Sequence, residues 1–143
     1  MKRFATLVLA ALAWSSPAAL AIHTPAENPF SSRIEENASL IDACVAAFNE
    51  LISTYESIVD TASAQTAVEK LPALHTGLQN AVDKVNSIGE ADEATQNLMM
   101  TRLMPMMFVF GARTTAAFER IKENDYYGCA ELRSFMEQVL PQA

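Results

Sequence analysis

Residues 32–59 read Ser-Arg-Ile-Glu-Glu-Asn-Ala-Ser-Leu-Ile-Asp-Ala-Cys-Val-Ala-Ala-Phe-Asn-Glu-Leu-Ile-Ser-Thr-Tyr-Glu-Ser-Ile-Val. Within them Ile34, Ala38, Ile41, Val45, Phe48, Ile52, Tyr55 and Val59 recur at alternating steps of four and three. An α-helix turns once in about 3.6 residues, so this spacing lays all eight along one stripe. Leu40, Cys44, Ala47, Leu51 and Ile58 fall beside that stripe and widen it. A half-buried strand would alternate every second residue, and this stretch does not. Ser32 with Glu35 matches a capping box, so the helix is expected to start there.

The same spacing recurs downstream. Ala67, Leu71, Leu74, Leu78, Ala81, Val85 and Ile88 mark a second helix from about Ser63, with Gly89 as its stop. A third begins near Asp92 and runs to about Glu123, with acids at its start and Arg120 and Lys122 at its end, as the helix dipole favours. A fourth, shorter helix covers about 128–140, with Cys129, Leu132, Phe135 or Met136, and Val139 inward. Amphipathic helices joined by short turns pack against their neighbours. The expected fold is all-α: an up-and-down antiparallel bundle of three long helices and one short C-terminal one, with heptad-like, coiled-coil-style spacing. Pro72 and Pro105 each remove a backbone donor inside a helix, so both helices are expected to bend.

The 143 residues are half hydrophobic, with only 4 Gly, 6 Pro and 2 Cys. That supports one domain with a real core. Met1-Lys2-Arg3, the apolar run Phe4 to Trp14 and the small residues of Ala19-Leu20-Ala21 form a signal-peptide pattern. Cleavage is placed after Ala21, which predicts export to the periplasm or beyond. Residues 22–31 read as a leader, and 32–143 as the helical domain. Removal of Lys2 and Arg3 leaves 8 basic residues against 17 acids, a formal charge of −9. Such a chain is repelled by nucleic acid and by anionic headgroups. Its apolar runs are too short or too interrupted to predict a transmembrane helix in the mature protein.

Motifs that would carry chemistry are missing from the sequence. There is no His-Glu-x-x-His, Glu-x-x-His, Cys-x-x-Cys, glycine-rich phosphate loop or Gly-x-Ser-x-Gly elbow. The expectation is a non-enzymatic protein without a cofactor. Glu35/Glu36 and Asp92/Glu93 are explained by helix starts and solvation. His75, between Leu74 and Leu78, reads as a boundary histidine whose ring meets water or a backbone carbonyl.

The unusual segment is Leu98 to Ala112, with methionines at 99, 100, 104, 106 and 107. It is apolar on more than one face, which a single core does not require. Met99, Leu103, Met106, Phe108 and Phe110 are therefore candidate interface residues, for a homodimer or a protein partner. Met100, Met104 and Met107 form the alternative set, since clustered thioethers bind soft metals such as Cu(I). Packing around Pro105 explains the same methionines more simply.

Two cysteines in an exported chain predict a Cys44–Cys129 disulfide. The docking height of the last helix decides it. If that helix starts level with Val59, Cys44 lies about 22 Å below that level and Cys129 about 5 Å below, at ~1.5 Å per residue. A bridge requires Cα atoms within roughly 7 Å, so it is then impossible. If Leu140 lies level with Ser32, both cysteines fall at about 17–18 Å, at ~1.5 Å per residue, and the bridge fits.

The run Ile58 to Leu74, with its Ala62-Ser63-Ala64 turn, and the run Asp125-Tyr126-Tyr127-Gly128-Cys129-Ala130-Glu131-Leu132 resemble elements of small exported bacterial helical proteins of unassigned function. That resemblance implies a helical bundle over most of residues 32–140 and no catalytic roles. In size, export and helix order the chain is also loosely similar to the periplasmic b-type cytochrome four-helix bundle. Its first helix lacks the axial Met and its last lacks the His, so haem binding is not implied. The function expected is protein–protein contact by an exported helical module. The alternative is a periplasmic bundle that binds a metal or ligand through the Met-rich third helix.

Overall fold

The computed structural model describes residues 29–139. The signal-peptide pattern, leader residues 22–28, His23 and Leu140 lie outside the described residues. Helix α1 spans Pro29–Glu56 and α2 Thr61–Asn86. A short α3 (Glu93–Leu98) continues through a π-helical turn (Met99–Leu103) into α4 (Met104–Glu123). A 3-10 turn (Asp125–Gly128) leads to α5 (Ala130–Val139). Among the described residues there is no strand.

Burial follows the sequence stripe. Ile41, Phe48, Ile52 and Tyr55 of α1 are buried, as are the flanking Cys44, Leu51 and Ile58. Val59 falls beyond the helix and is exposed. From α2 come Ala64, Ala67, Leu71, Leu78 and Val85, and from the later helices Ala117, Ile121, Leu132 and Met136. Each fully buried aliphatic side chain contributes about 1.5–3 kcal/mol of transfer free energy.

Several helix ends differ from expectation. The first helix starts at Pro29, three residues before Ser32, and proline suits a first helical position because its missing N–H is not needed there. The second starts at Thr61, capped by Asp60, whose carboxylate accepts from the Ser63 amide at 2.7 Å. Ser63 Oγ closes the box by accepting from the Asp60 amide at 3.0 Å. That helix ends at Asn86, short of Gly89, and Gly89 is not left-handed. The third helix starts beside Asp92 as expected, and Asp92 caps it by accepting from the Thr95 amide. Pro72 lies within an unbroken α2.

α3, the π turn and α4 form one continuous rod, the third of the chain, and its contacts with α1 rise in step. Asn37 Nδ2 donates to Thr95 Oγ1, Arg102 pairs with Asp42, and Arg113 pairs with Glu56. The two rods therefore run in the same direction, with α2 returning between them in sequence. The last helix lies along α2: Thr61 Oγ1 donates to the Tyr127 carbonyl at 2.7 Å, and His75 meets Phe135 further down.

The expected disulfide does not form: Cys44 and Cys129 are both free and buried. The physical reason is register. Tyr55, His75 and Phe135 meet at one level. Cys44 lies eleven residues before Tyr55 in α1, about 16 Å lower at ~1.5 Å per residue. Cys129 precedes Phe135 by six residues in a helix running the opposite way, so it lies above that level. The high docking register is the one realised, and it forbids a bridge. The third rod accordingly runs all the way to Glu123.

The last helix reverses direction through an unusual turn. Asp125, Tyr126, Tyr127 and Gly128 all have φ between 50° and 71°. Side chains crowd the backbone in this left-handed region, so only Gly128 occupies it without strain. Arg133 holds the turn by pairing with Asp125 and by lying over the Tyr126 ring, 5.1 Å from its centroid.

Candidate contact surface and the Tyr55–His75 pair

The third rod has one face tied to α1 and one face free of it. Arg102 Nη1 donates to both Asp42 oxygens, and Arg113 makes a two-pronged pair with Glu56. That pair holds the Glu56 carboxyl below its usual range and the Arg113 guanidinium above its own. Arg120 Nη2 donates to the carbonyls of Tyr55 and Glu56 at the C-terminal end of α1 and of Ile58 just beyond it. These three arginines fix both the height and the rotation of the rod.

Opposite them, Met100 is 64% exposed and Phe108 74% exposed. Val109, Pro105, Ala112 and Ala116 are exposed beside them. From Leu103 to Ala112 no side chain is ionisable.

The proposed interface set is divided by this arrangement. Met99, Leu103, Met106 and Phe110 pack against the core, with Phe110 edge-on to Phe48 at 4.8 Å. Phe108 alone of the five points outward. The alternative thioether set is divided as well: Met100 is exposed, Met104 half-buried, and Met107 packed against the core. The cause is the π turn, in which the Met104 amide donates back to Met99 rather than to Met100. The extra residue rotates the faces, so sulfurs that share a stripe in a regular α-helix do not share one here. It also explains the fate of Pro105. The π turn places it second in a new α segment, where a missing N–H costs little.

His75 is a half-buried boundary residue, as expected, but its hydrogen-bond partner is a side chain and not a backbone carbonyl. Its Nε2 lies 2.6 Å from the hydroxyl of Tyr55, which is fully buried. The Tyr55 ring stands edge-on to Phe118 at 4.6 Å, and Phe135 lies edge-on to His75 at 5.3 Å. Burial pushes the Tyr55 phenol up, the His75 imidazole down, and the Cys44 thiol up to about 11. His75 Nδ1 is buried and has no hydrogen-bond partner. A buried tyrosine hydroxyl needs a partner, and that was the sequence's clue to this pair.

Among the described residues, no three His, Cys, Asp or Glu side chains converge as a metal site would require. No described helix is long and apolar enough to cross a membrane. The chain matches no family model, no curated protein and no solved structure.

Proposed function

We propose that this chain is an exported, non-enzymatic helical module, an up-and-down antiparallel bundle, that acts by protein–protein contact through the outward face of α4. One observation carries the reading: an uncharged helix face with Phe108 74% exposed, on a rod whose neighbouring arginines are all turned toward α1. Large apolar side chains held rigidly in water favour a partner that covers them. Export is supported by the basic start, the apolar run and the small-residue cleavage pattern in residues 1–21.

Phe108→Asp separates contact from folding. The side chain is mostly in water already, so unfolding free energy is expected to change by less than about 0.5 kcal/mol. In cells, photo-crosslinks from a probe at Ala112 should form in the parent and disappear in the variant. A probe at Lys122 serves as the control. A large fall in melting temperature would mean that Phe108 packs within the monomer. Crosslinks that persist in the variant would remove the α4 face as the contact.

A further inference from the structure

We infer that α5 is an acid-released latch, with His75 as the group that couples its docking to pH. His75 sits on α2 beneath Phe135 of α5, and its Nε2 is engaged by Tyr55 of α1. Three helices therefore close around one imidazole. A neutral imidazole suits this setting: Nε2 accepts from the Tyr55 hydroxyl, which leaves the ring proton on Nδ1.

A protonated ring does not suit it. An imidazolium donates from both nitrogens and accepts at neither. Tyr55 Oη can accept from Nε2 only if its own O–H turns away, toward the edge-on Phe118. Nδ1 holds its proton in both forms and is buried and unpartnered in both, so protonation puts a positive charge on a donor that already lacks an acceptor. Nor does a countercharge answer it. Charged groups on the surrounding elements include Glu50 and Glu56 on α1, Glu69, Lys70, Asp83 and Lys84 on α2, Arg113, Glu119 and Arg120 on α4, and Glu131, Arg133 and Glu137 on α5. None is hydrogen-bonded or ion-paired to His75. Glu56 is held by Arg113, Arg120 by the α1 carbonyls, Glu131 by Cys129 and Arg133 by Asp125. Burial alone lowers the proton affinity of the ring, which fits the geometry.

Hydrating Nδ1 requires something to lift, and α5 is the cheapest element to move. The long helices α1 and α2 share most of the core. The ten-residue α5 is seated mainly by Leu132 and Met136 and tethered by the left-handed turn. Short elements with few buried contacts open first.

The sign follows from proton linkage. The closed state binds the proton more weakly than the open one, so closure is fully favoured above the ordinary histidine range, near 6.5. Below it, opening gains up to about tenfold per pH unit, or roughly 30-fold between neutrality and pH 5.

Hydrogen exchange of the full chain, read by mass spectrometry from pH 7.5 to 5.0 and corrected for intrinsic rates, tests the latch. Opening of peptide 130–139 should rise about 10- to 30-fold while peptide 41–55 changes little. His75→Gln, whose amide keeps a partner for Tyr55 but does not titrate, should flatten the α5 response. Histidine NMR of the parent supplies a measurement that does not depend on the variant folding: His75 must titrate over the range in which α5 opens. Constant α5 protection, an unchanged slope in His75→Gln, joint opening of α1 and α5, or His75 titrating with α5 closed would each overturn the proposal.

Discussion

Tyr55→Ala is expected to lower the unfolding free energy by about 3–5 kcal/mol, as large-to-small changes of buried aromatic residues do. Whole domains of this size have about 5–15 kcal/mol to lose, so the variant should be near the limit of folding. The side chain is fully buried, stands edge-on to Phe118, and hydrogen-bonds His75 across the α1–α2 contact. Truncation leaves a cavity at the level where α1, α2 and α5 meet. Tyr55→Phe isolates the hydroxyl. It keeps the ring but leaves both imidazole nitrogens without partners, so a cost of about 1–2 kcal/mol is expected. Urea titrations of both variants check the pair. A cost below about 1 kcal/mol for Tyr55→Ala would mean that this level is not dry. Equal costs for the two would place the energy in the hydroxyl rather than in packing.

The second large effect is expected at Arg120. Its Nη2 donates at 3.0–3.2 Å to the carbonyls of Tyr55 and Glu56 in the last turn of α1 and of Ile58 just beyond it, where helical amide donors give out. A cation there also opposes the negative end of the helix dipole. Hydrogen bonds from charged groups are worth about 1.5–3 kcal/mol each in mutational series, and they are not additive. Arg120→Met is expected to cost about 2–4 kcal/mol on that scale, reduced slightly because the variant also removes the buried, unpartnered Nε. Arg120→Lys should recover only part, since one ammonium cannot reproduce the planar fork. By contrast, the Arg102–Asp42 pair is about half exposed on both sides and should contribute about 0–1 kcal/mol. Denaturant midpoints with unchanged slopes would report these differences. An Arg120→Met variant as stable as the parent would show that water caps α1 equally well.

The contrast between these residues explains what the sequence disclosed. The four-three spacing of α1 is legible because burial imposes one face on a helix, and the buried residues follow it. The helix start at Asp92 is legible from its acids. Asp60 is missed because Ser63 stands where a capping box ordinarily has Glu or Gln. Arg120 was read only as a charge suited to its own helix end, whereas it closes the end of a different helix. Such long-range assignments depend on register, which periodicity does not encode. The Cys44–Cys129 pairing failed for the same reason. The docking height of α5 is set by a left-handed turn at Asp125–Gly128 that sequence spacing cannot place. On α4, excess apolarity marked the segment in which large apolar side chains are exposed. The division of its residues between core and solvent was hidden because the faces rotate at Met99–Leu103.

That rotation has a bearing on chain length. A π turn carries one residue more than the α turn it replaces, so it behaves as an accommodated one-residue insertion. Deleting one residue between Met99 and Leu103 would close the turn to regular α-helix and keep Thr95 and Arg113 on their α1 partners. It would also move Pro105 into an uninterrupted helix interior, at a cost of about 3 kcal/mol or more. The extra residue and the proline are thus a linked pair: the codon can be lost only when the proline has already been replaced.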